Sequence, residues 1–272
     1  MFGITHRGRV RKDNQDHFLL ATVHPQIAVL GTSLQPDREL PLRGSRLGTV
    51  LLVADGVGGA ADGEEASRLA TEAVAEYVSS SFRCYHAAGA GRDAEFPEAL
   101  RAAALQAHDT VRAESVANGT GTMATTLTLG IGVWPWLYVV QVGDSRAYIY
   151  TKGALRQITR DQTVAQDLVD RGAMREDVKE KSPLSHILVS AIGGEEATPV
   201  VSRVDVSERG CVLVFCSDGL TKHVTDEEIA AHCKAMRSAE ELSRDLLQLA
   251  LDRGGSDNIT IIVARAPLKS RE

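Results

Sequence analysis

Four short acidic segments have the residue types needed to hold divalent cations. They are Asn14-Gln15-Asp16, Asp55-Gly56-Val57-Gly58-Gly59, Ser217-Asp218-Gly219 and Ser256-Asp257-Asn258. Each places an aspartate where an apolar run begins or ends, although a single Asp-Gly in such a place is an ordinary turn signal. Carboxylates gathered at one edge of a sheet repel one another unless cations neutralise them, and Mg²⁺ and Mn²⁺ prefer oxygen ligands. The four segments therefore predict a metal centre if the fold brings them together.

The strands that must position these acids are indicated by apolar runs rich in β-branched residues. The runs are Thr49 to Ala54, Met123 to Val133, Leu137 to Val142, Arg146 to Tyr150, Cys211 to Cys216 and Ile259 to Ala264. Asp55 and Asp218 follow two of these runs, and Asp257 comes just before the last one. We expect each acid to lie at the rim of a buried sheet.

Helical spacing and capping patterns predict two pairs of helices. Their signals are an N-cap at Asp62, an apolar face at Leu100, Ala103, Ala104, Ala107 and Val111 behind Pro97, and capping boxes at Thr225 with Glu228 and Ser238 with Glu241. A shorter helix is predicted near Thr163 to Arg171, between the two pairs.

The order of these elements indicates the fold class. Strands follow one another without strict β-α-β alternation, which favours antiparallel sheets, and paired amphipathic helices need an apolar surface to cover. We predict an α+β fold of two stacked, mainly antiparallel sheets with pairs of helices outside. We assign residues 1–272 to a single domain, with a surface insertion near 31–48.

Composition narrows the classes of function. The chain has 272 residues, and its 36 acidic and 30 basic residues give a net charge of -6, which argues against a nucleic-acid surface. No apolar run approaches the roughly 20 residues that span a bilayer, and the N-terminus lacks the apolar core of a secretory signal. We expect a cytoplasmic protein that binds neither nucleic acid nor membrane.

A dinucleotide site is the rival interpretation of the glycine-rich segment. Gly56, Gly58 and Ala61 fit G-x-G-x-x-A between a strand and a helix. Asp55 would then lie beside the pyrophosphate, and the helix leads into another helix instead of a second parallel strand. A metal site is the better interpretation.

Six motifs, in order along the chain, resemble the type 2C metal-dependent serine/threonine protein phosphatases, especially the bacterial members. They are R-K-D-N-Q-D from Arg11, V-A-D-G-V-G-G from Val53, G-T-M-A-T-T-L from Gly121, V-G-D-S-R-A-Y from Val142, S-D-G-L from Ser217 and G-G-S-D-N-I-T from Gly254. The resemblance implies an α-β-β-α sandwich. It also implies hydrolysis of phosphoserine and phosphothreonine in proteins, by a water molecule shared between two Mn²⁺ or Mg²⁺ ions.

The resemblance also implies roles for single residues. Asp55 would bridge the two cations, the Gly56 carbonyl would reach one of them, and Asp218 and Asp257 would complete the other. Asp144 corresponds to a residue that helps to bind a third, weaker cation in bacterial members.

Two further residues are candidates for catalysis. Asp16 is expected to orient metal-bound water from outside the ligand shell. Arg11 is the candidate phosphate clamp, because a planar guanidinium can bind two phosphate oxygens at once. Its alternative is a solvated charge beside other basic residues. Arg146 is expected to be structural and paired with an acid.

The chain departs from the family pattern at two positions. Gln15 stands where some members have an acid, which would weaken a contact near the second cation. Val57 stands where some members have a histidine proposed as general acid. The source of the leaving-group proton is therefore open among metal-bound water, His186 and His223. The segment 161–194 lies where the family has a mobile flap, and an exposed helix and loop is the plainer alternative.

The resemblance implies phosphorylated proteins as partners, together with a serine/threonine kinase that the enzyme opposes, and a monomeric state. Two alternatives stay open. One is a small-molecule phosphomonoesterase with the same centre, because the motifs specify phosphoryl chemistry and not the leaving group. The other is a catalytically silent relative that binds phosphoproteins, although the presence of Arg11, Asp55, Asp218 and Asp257 argues against it.

Overall fold

The computed structural model describes residues 1–24, 46–87, 95–119, 121, 123–179 and 181–266. The strands are β1 (Phe2–His6), β2 (Asp16–Val23), β3 (Gly48–Val57), β4 (Ala124–Thr125), β5 (Leu127–Val133), β6 (Trp136–Val142), β7 (Arg146–Thr151), β8 (Ala154–Gln157), β9 (Val200–Asp205), β10 (Val212–Cys216) and β11 (Ile259–Arg265). The helices are α1 (Ala60–Ala87), α2 (Glu95–Ala117), α3 (Val164–Asp170), α4 (Glu176–Lys179), α5 (Asp218–Thr221), α6 (Asp226–Ala235) and α7 (Ala239–Asp252), with a 3₁₀ turn at Pro183–His186.

The strands form two antiparallel sheets. The first has the order β1-β11-β10-β7-β8, and the second has the order β2-β3-β5-β6-β9, with β4 paired to β3. Hairpins join β5 to β6 and β7 to β8, as expected for strands consecutive in sequence.

Three layers of apolar side chains hold the sheets and helices together. Between the sheets, Leu51 and Val53 of β3 belong to the same buried cluster as Phe215 and Ile262 of the first sheet. A second cluster lies between the second sheet and α1 with α2, and a third between the first sheet and α6 with α7. The predicted α-β-β-α sandwich is confirmed.

All six apolar runs form strands, with bounds that differ by at most about three residues from those predicted, apart from the break at Thr126 between β4 and β5. Strands β1, β2, β8 and β9 are not among those runs. All four lie at sheet edges, where many side chains are only partly buried, so their sequences lack the continuous apolar signal of a central strand.

The predicted helix patterns hold with one correction. The apolar face behind Pro97 is buried in α2, Thr163 caps α3, and Thr225 with Glu228 forms a complete capping box on α6. Asp62 is not the N-cap of α1, because β3 continues to Val57 and the helix already begins at Ala60. Asp62 instead lies in the first turn, where a carboxylate interacts favourably with the helix dipole.

Residues 31–45 of the predicted insertion lie outside the described residues, and Gly48 already belongs to β3. The segment 161–194 contains α3, α4 and the 3₁₀ turn. Across the described part of the chain, no helix combines the length and apolar character that a membrane span requires. The single-domain assignment stays a prediction.

Candidate metal centre and phosphate site

One pocket, with a volume of ≈ 180 Å³, brings together most of the predicted site residues. Those that line it are Arg11, Asp55, Gly56, Asp144, Asp218 and Asp257. They come from five separate parts of the chain, so the convergence is a property of the tertiary structure. Asp16 is the exception, because it lies buried behind the pocket wall.

Strand pairing explains how the acids meet. Asp16 and Asp55 are direct partners across the antiparallel pair β2 and β3. Asp55 therefore lies inside β3 and not in a turn after it, which corrects the sequence-based expectation. Asp218 begins α5 two residues after β10, and Asp257 comes two residues before β11. Because β10 and β11 are antiparallel neighbours, the end of one strand lies beside the start of the other.

Asp16 is held by hydroxyl groups of the opposite sheet. Its Oδ2 accepts hydrogen bonds from Ser217 Oγ at 2.8 Å and from Thr260 Oγ1 at 2.7 Å. Burial raises the pKa of Asp16 to about 6, and the charge of Asp218 acts in the same direction, while the two hydroxyl groups oppose the shift. This placement agrees with a role outside the ligand shell, which stays a prediction.

Two more acids, the half-buried Asp55 and the buried Asp144, lie in the same pocket. Burial raises the pKa of Asp55 well above its ordinary value, and the charges of Asp16, Asp218 and Asp144 add to the effect. Burial likewise raises the pKa of Asp144, followed by the charge of Asp218. Such a cluster favours binding of protons or cations over free carboxylates.

Asp257 has the opposite environment, because two cationic side chains hold it. Arg11 donates from Nε to Oδ1 at 2.7 Å and from Nη2 to Oδ2 at 3.0 Å. Lys222 Nζ lies 2.6 Å from the same Oδ2. Although burial alone would raise the pKa of Asp257, these two cations lower it below the ordinary value.

The chemistry of the donor set suits a hard divalent cation. The acids offer carboxylate oxygens only, and the Lys222 ammonium lies 2.7 Å from Asp218 Oδ2 as well as 2.6 Å from Asp257 Oδ2. Both carboxylates thus already converge on one positive charge. Within the described residues, no three His, Cys, Asp or Glu side chains form a ready metal cage. A cation bound by Asp218 and Asp257 would therefore meet the Lys222 ammonium at the same two oxygens.

Close backbone contacts fix the positions of two segments. A Cβ at Gly56 would lie 2.8 Å from the Gln15 carbonyl and would collide with the Gly63 carbonyl, so only glycine lets β3 approach this closely. A Cβ at Gly219 would collide with the Asn258 carbonyl. The glycines of the two D-G pairs therefore bring the acidic segments together and do more than form turns.

Sequence reasoning missed two residues of this site. Asn258 ties the N-terminal segment to β11: its Nδ2 donates to the Arg7 and Asp13 carbonyls, both at 2.9 Å, and its Oδ1 accepts from Gln15 N at 2.8 Å. Lys222 was missed as well. Its position four residues after Asp218 was the available signal, since residues four apart on a helical turn are neighbours.

The histidines named as proton donors differ in placement. His186 lines the pocket, as do Gln15 and Val57 at the two positions that depart from the family pattern. His223 does not line it, and its Nε2 accepts a hydrogen bond from the Ser256 amide at 2.9 Å. Of these two histidines, His186 is therefore the one that faces the pocket.

Arg146 is structural, as predicted. Its guanidinium donates to both carboxylate oxygens of Asp161, with Nη2 to Oδ2 at 2.6 Å and Nε to Oδ1 at 2.9 Å. Only 11% of the Arg146 side chain and 9% of the Asp161 side chain are exposed. The pair joins β7 to the start of the segment 161–194.

Comparison with known proteins places the chain in a family. Residues 40–253 match the family described as Protein phosphatase 2C. The serine/threonine protein phosphatase PstP of Mycobacterium tuberculosis is 35% identical over 221 residues, which cover 81% of this chain and 40% of PstP. The chain thus spans about two fifths of the length of that relative.

Two further comparisons extend over nearly the whole chain. The serine/threonine phosphatase stp of Listeria monocytogenes is 27% identical over 269 residues, covering 98% of this chain and 96% of stp. A crystal structure of the PstP catalytic domain in complex with two manganese ions has a TM-score of 0.72 and 28% identity, covering 98% of this chain and 97% of that one. The chain belongs to the protein phosphatase 2C family.

Proposed function

We propose that this chain hydrolyses phosphoserine and phosphothreonine in proteins at a centre of two divalent cations. The observation that carries the proposal is the convergence of Arg11, Asp55, Asp218 and Asp257 on one pocket. Family membership and the names of the PstP and stp relatives support the same activity.

The carboxylates of Asp55, Asp218 and Asp257 and the Gly56 carbonyl would hold the two cations, with Asp144 available for a third. We propose Mn²⁺ or Mg²⁺, and the manganese-bound PstP domain supports the first. When bound, two such cations supply Lewis-acid chemistry that activates water and neutralises phosphoryl charge.

The chain's own residues bind and orient the substrate. Arg11 uses Nε and Nη2 for Asp257, so its Nη1 can donate to a phosphate oxygen. Asp257 in turn fixes the guanidinium against the pocket wall. Behind the pocket wall, hydrogen bonds from Ser217 and Thr260 hold the carboxylate of Asp16 in place. Asp16 lies opposite Asp55 in the antiparallel pair of β2 and β3.

We propose that the substrates are phosphorylated proteins of the cytoplasm and that the enzyme opposes a serine/threonine kinase as a monomer. The net charge of -6 agrees with a protein that avoids nucleic acid. Whether the segment 161–194 gates the pocket stays a prediction, which the position of His186 and Leu188 in the pocket wall supports.

Hydrolysis of a phosphothreonine peptide, followed by phosphate release, tests the activity. We expect turnover with Mn²⁺ and none with EDTA. A kcat/KM for p-nitrophenyl phosphate or free phosphoserine far above that for several phosphopeptides would instead indicate a small-molecule phosphomonoesterase. Binding of phosphopeptides and Mn²⁺ without any turnover would indicate a silent relative.

Arg11→Ala is expected to raise KM by roughly ten- to a hundredfold with a smaller change in kcat, because it removes charged hydrogen bonds to the ground-state phosphate. Steady-state kinetics on the peptide measure the effect. Arg9→Ala is the matched control, since Arg9 lies in the same segment and its partner Asp252 is outside the pocket. Equal KM values for Arg11→Ala and wild type would contradict the assigned role.

Mn²⁺ affinity is expected to increase as the pH is raised from about 5 to 7. Burial raises the pKa of Asp16 to about 6 and that of Asp55 above its ordinary value, so protons occupy this pair at low pH and must leave before a cation binds. Calorimetric titration at several pH values, in buffers with different ionisation enthalpies, measures both the affinity and the protons released. A pH-independent affinity without proton release would disprove the competition.

A further inference from the structure

Lys222 places a positive charge inside the candidate metal centre. Its Nζ lies 2.7 Å from Asp218 Oδ2 and 2.6 Å from Asp257 Oδ2, and these two carboxylates come from separate segments of the chain. The Lys222 side chain is 23% exposed and its two partners are 19% and 18% exposed. This arrangement differs from a surface ion pair, because all three groups line the pocket and are largely shielded from water.

The backbone of α5 and its neighbours brings Lys222 close to Asp218 and Asp257. Lys222 is the C-cap of α5, and its N–H donates to the Asp218 carbonyl at 2.9 Å. Asp218 and Lys222 therefore stand at the two ends of one helical turn, with their side chains on the same face. Gly219 packs directly against the Asn258 backbone, which brings Asp257 to that face.

The occupied oxygens matter for metal binding. Asp218 and Asp257 are the two carboxylates proposed to share one cation, and both direct an oxygen at the ammonium. A divalent cation that takes these oxygens must displace Lys222 or bind beside its charge, and either event opposes binding. The recorded hydrogen bonds of the Asp55 backbone are to neutral groups instead, because its N–H donates to Thr126 Oγ1 at 3.0 Å and its carbonyl accepts from Thr125 Oγ1 at 2.8 Å.

We propose that Lys222 is a built-in competitor of the cation held by Asp218 and Asp257, and that it sets the affinity of that one position. In the metal-free protein the ammonium neutralises the two carboxylates and keeps them together. In the loaded protein it is displaced. This inference rests on the metal centre of the proposed function.

Calorimetric titration of the metal-free protein with MnCl₂ tests the proposal. We expect Lys222→Met and Lys222→Gln to tighten one Mn²⁺ binding step by about tenfold or more and to leave the other step nearly unchanged. Lys222→Arg, which keeps the charge, should bind Mn²⁺ like the wild type. Lys234→Met is the matched control, because it removes the same charge from an exposed position on α6.

Thermal unfolding supplies a second readout that needs no turnover. Without metal, Lys222→Met should have a lower Tm than the wild type, because Asp218 and Asp257 then repel each other. Saturating Mn²⁺ should raise its Tm by more than it raises that of the wild type. A variant that folds poorly without metal but recovers with Mn²⁺ also meets this expectation.

The outcomes separate this inference from the proposed function. If the wild type binds two Mn²⁺ ions and the neutral variants bind them with equal or lower affinity, the competition is disproved and the metal centre stands. If Lys234→Met tightens binding as much as Lys222→Met, the effect is one of net charge and the inference is likewise disproved. If neither wild type nor variants bind Mn²⁺, both the inference and the proposed metal centre fail.

Discussion

Asp218→Asn is expected to lower kcat on a phosphothreonine peptide by at least about a thousandfold, an effect of several kcal/mol on the barrier. Asp218 lines the pocket, and its carboxylate points with that of Asp257 at a single cation position. Asparagine keeps the shape and one oxygen but removes the charge that would hold a divalent ion. Calorimetry should therefore show the loss or strong weakening of one Mn²⁺ binding step, alongside the loss of phosphate release.

Asp252→Asn is the control for this prediction. Asp252 is 58% exposed and pairs with Arg9 outside the pocket, so the same change of charge there should leave turnover within about twofold of the wild type. Far-ultraviolet circular dichroism and Tm establish that both variants fold. Turnover of Asp218→Asn within tenfold of the wild type, or full activity after treatment with EDTA, would show that the chemistry does not depend on this centre.

Arg146→Met is expected to lower the free energy of unfolding by about 3–5 kcal/mol, because it leaves the charge of Asp161 buried and uncompensated. The pair is nearly inaccessible to water and bidentate, and Arg146 also donates to the Tyr148 hydroxyl at 3.2 Å. Tyr148 in turn donates to Asp226 Oδ1 at 2.9 Å, at the start of α6. Urea denaturation of the metal-free protein measures the loss.

Two further variants make this second prediction specific. Arg175→Met breaks the exposed pair with Asp177, whose side chains are 81% and 59% exposed, and should change stability by less than about 1 kcal/mol. Arg146→Met combined with Asp161→Asn should recover part of the stability, because no unpaired charge then remains. If Arg146→Met and Arg175→Met lowered the free energy of unfolding equally, burial of the Arg146–Asp161 pair would make no difference to its contribution to stability.

Much of the fold could be predicted from sequence because its central strands are continuous apolar runs. A strand such as β10 is buried on both faces, so nearly every residue in it is apolar and the pattern is unambiguous. In edge strand β2 most positions are only partly buried, and the strand begins with the polar residues Asp16 and His17, so its sequence signal is weaker. Its first residue is Asp16, which explains why the residue was predicted as functional from its motif while its strand was not.

The types of residue in the candidate site could also be predicted from the sequence. Aspartates beside buried strands supply oxygen ligands, and the adjacent glycines allow close approach of the backbone. Both features can be recognised from neighbouring residues in the sequence. They indicated which residues could carry the chemistry. They did not indicate the partners of each acid. Asp16 meets Ser217 and Thr260 only because the start of β2 in one sheet lies beside the end of β10 and the start of β11 in the other.

Sequence by itself determined the class of fold, the acids and Arg11, because burial patterns and residue chemistry are encoded position by position. Only the tertiary structure decided that Lys222 lies between Asp218 and Asp257, that Asn258 fastens the N-terminal segment, and that Arg146 pairs with Asp161. The physical reason is that each of these contacts depends on strand register and sheet stacking, which a one-residue shift would alter while leaving the local patterns unchanged.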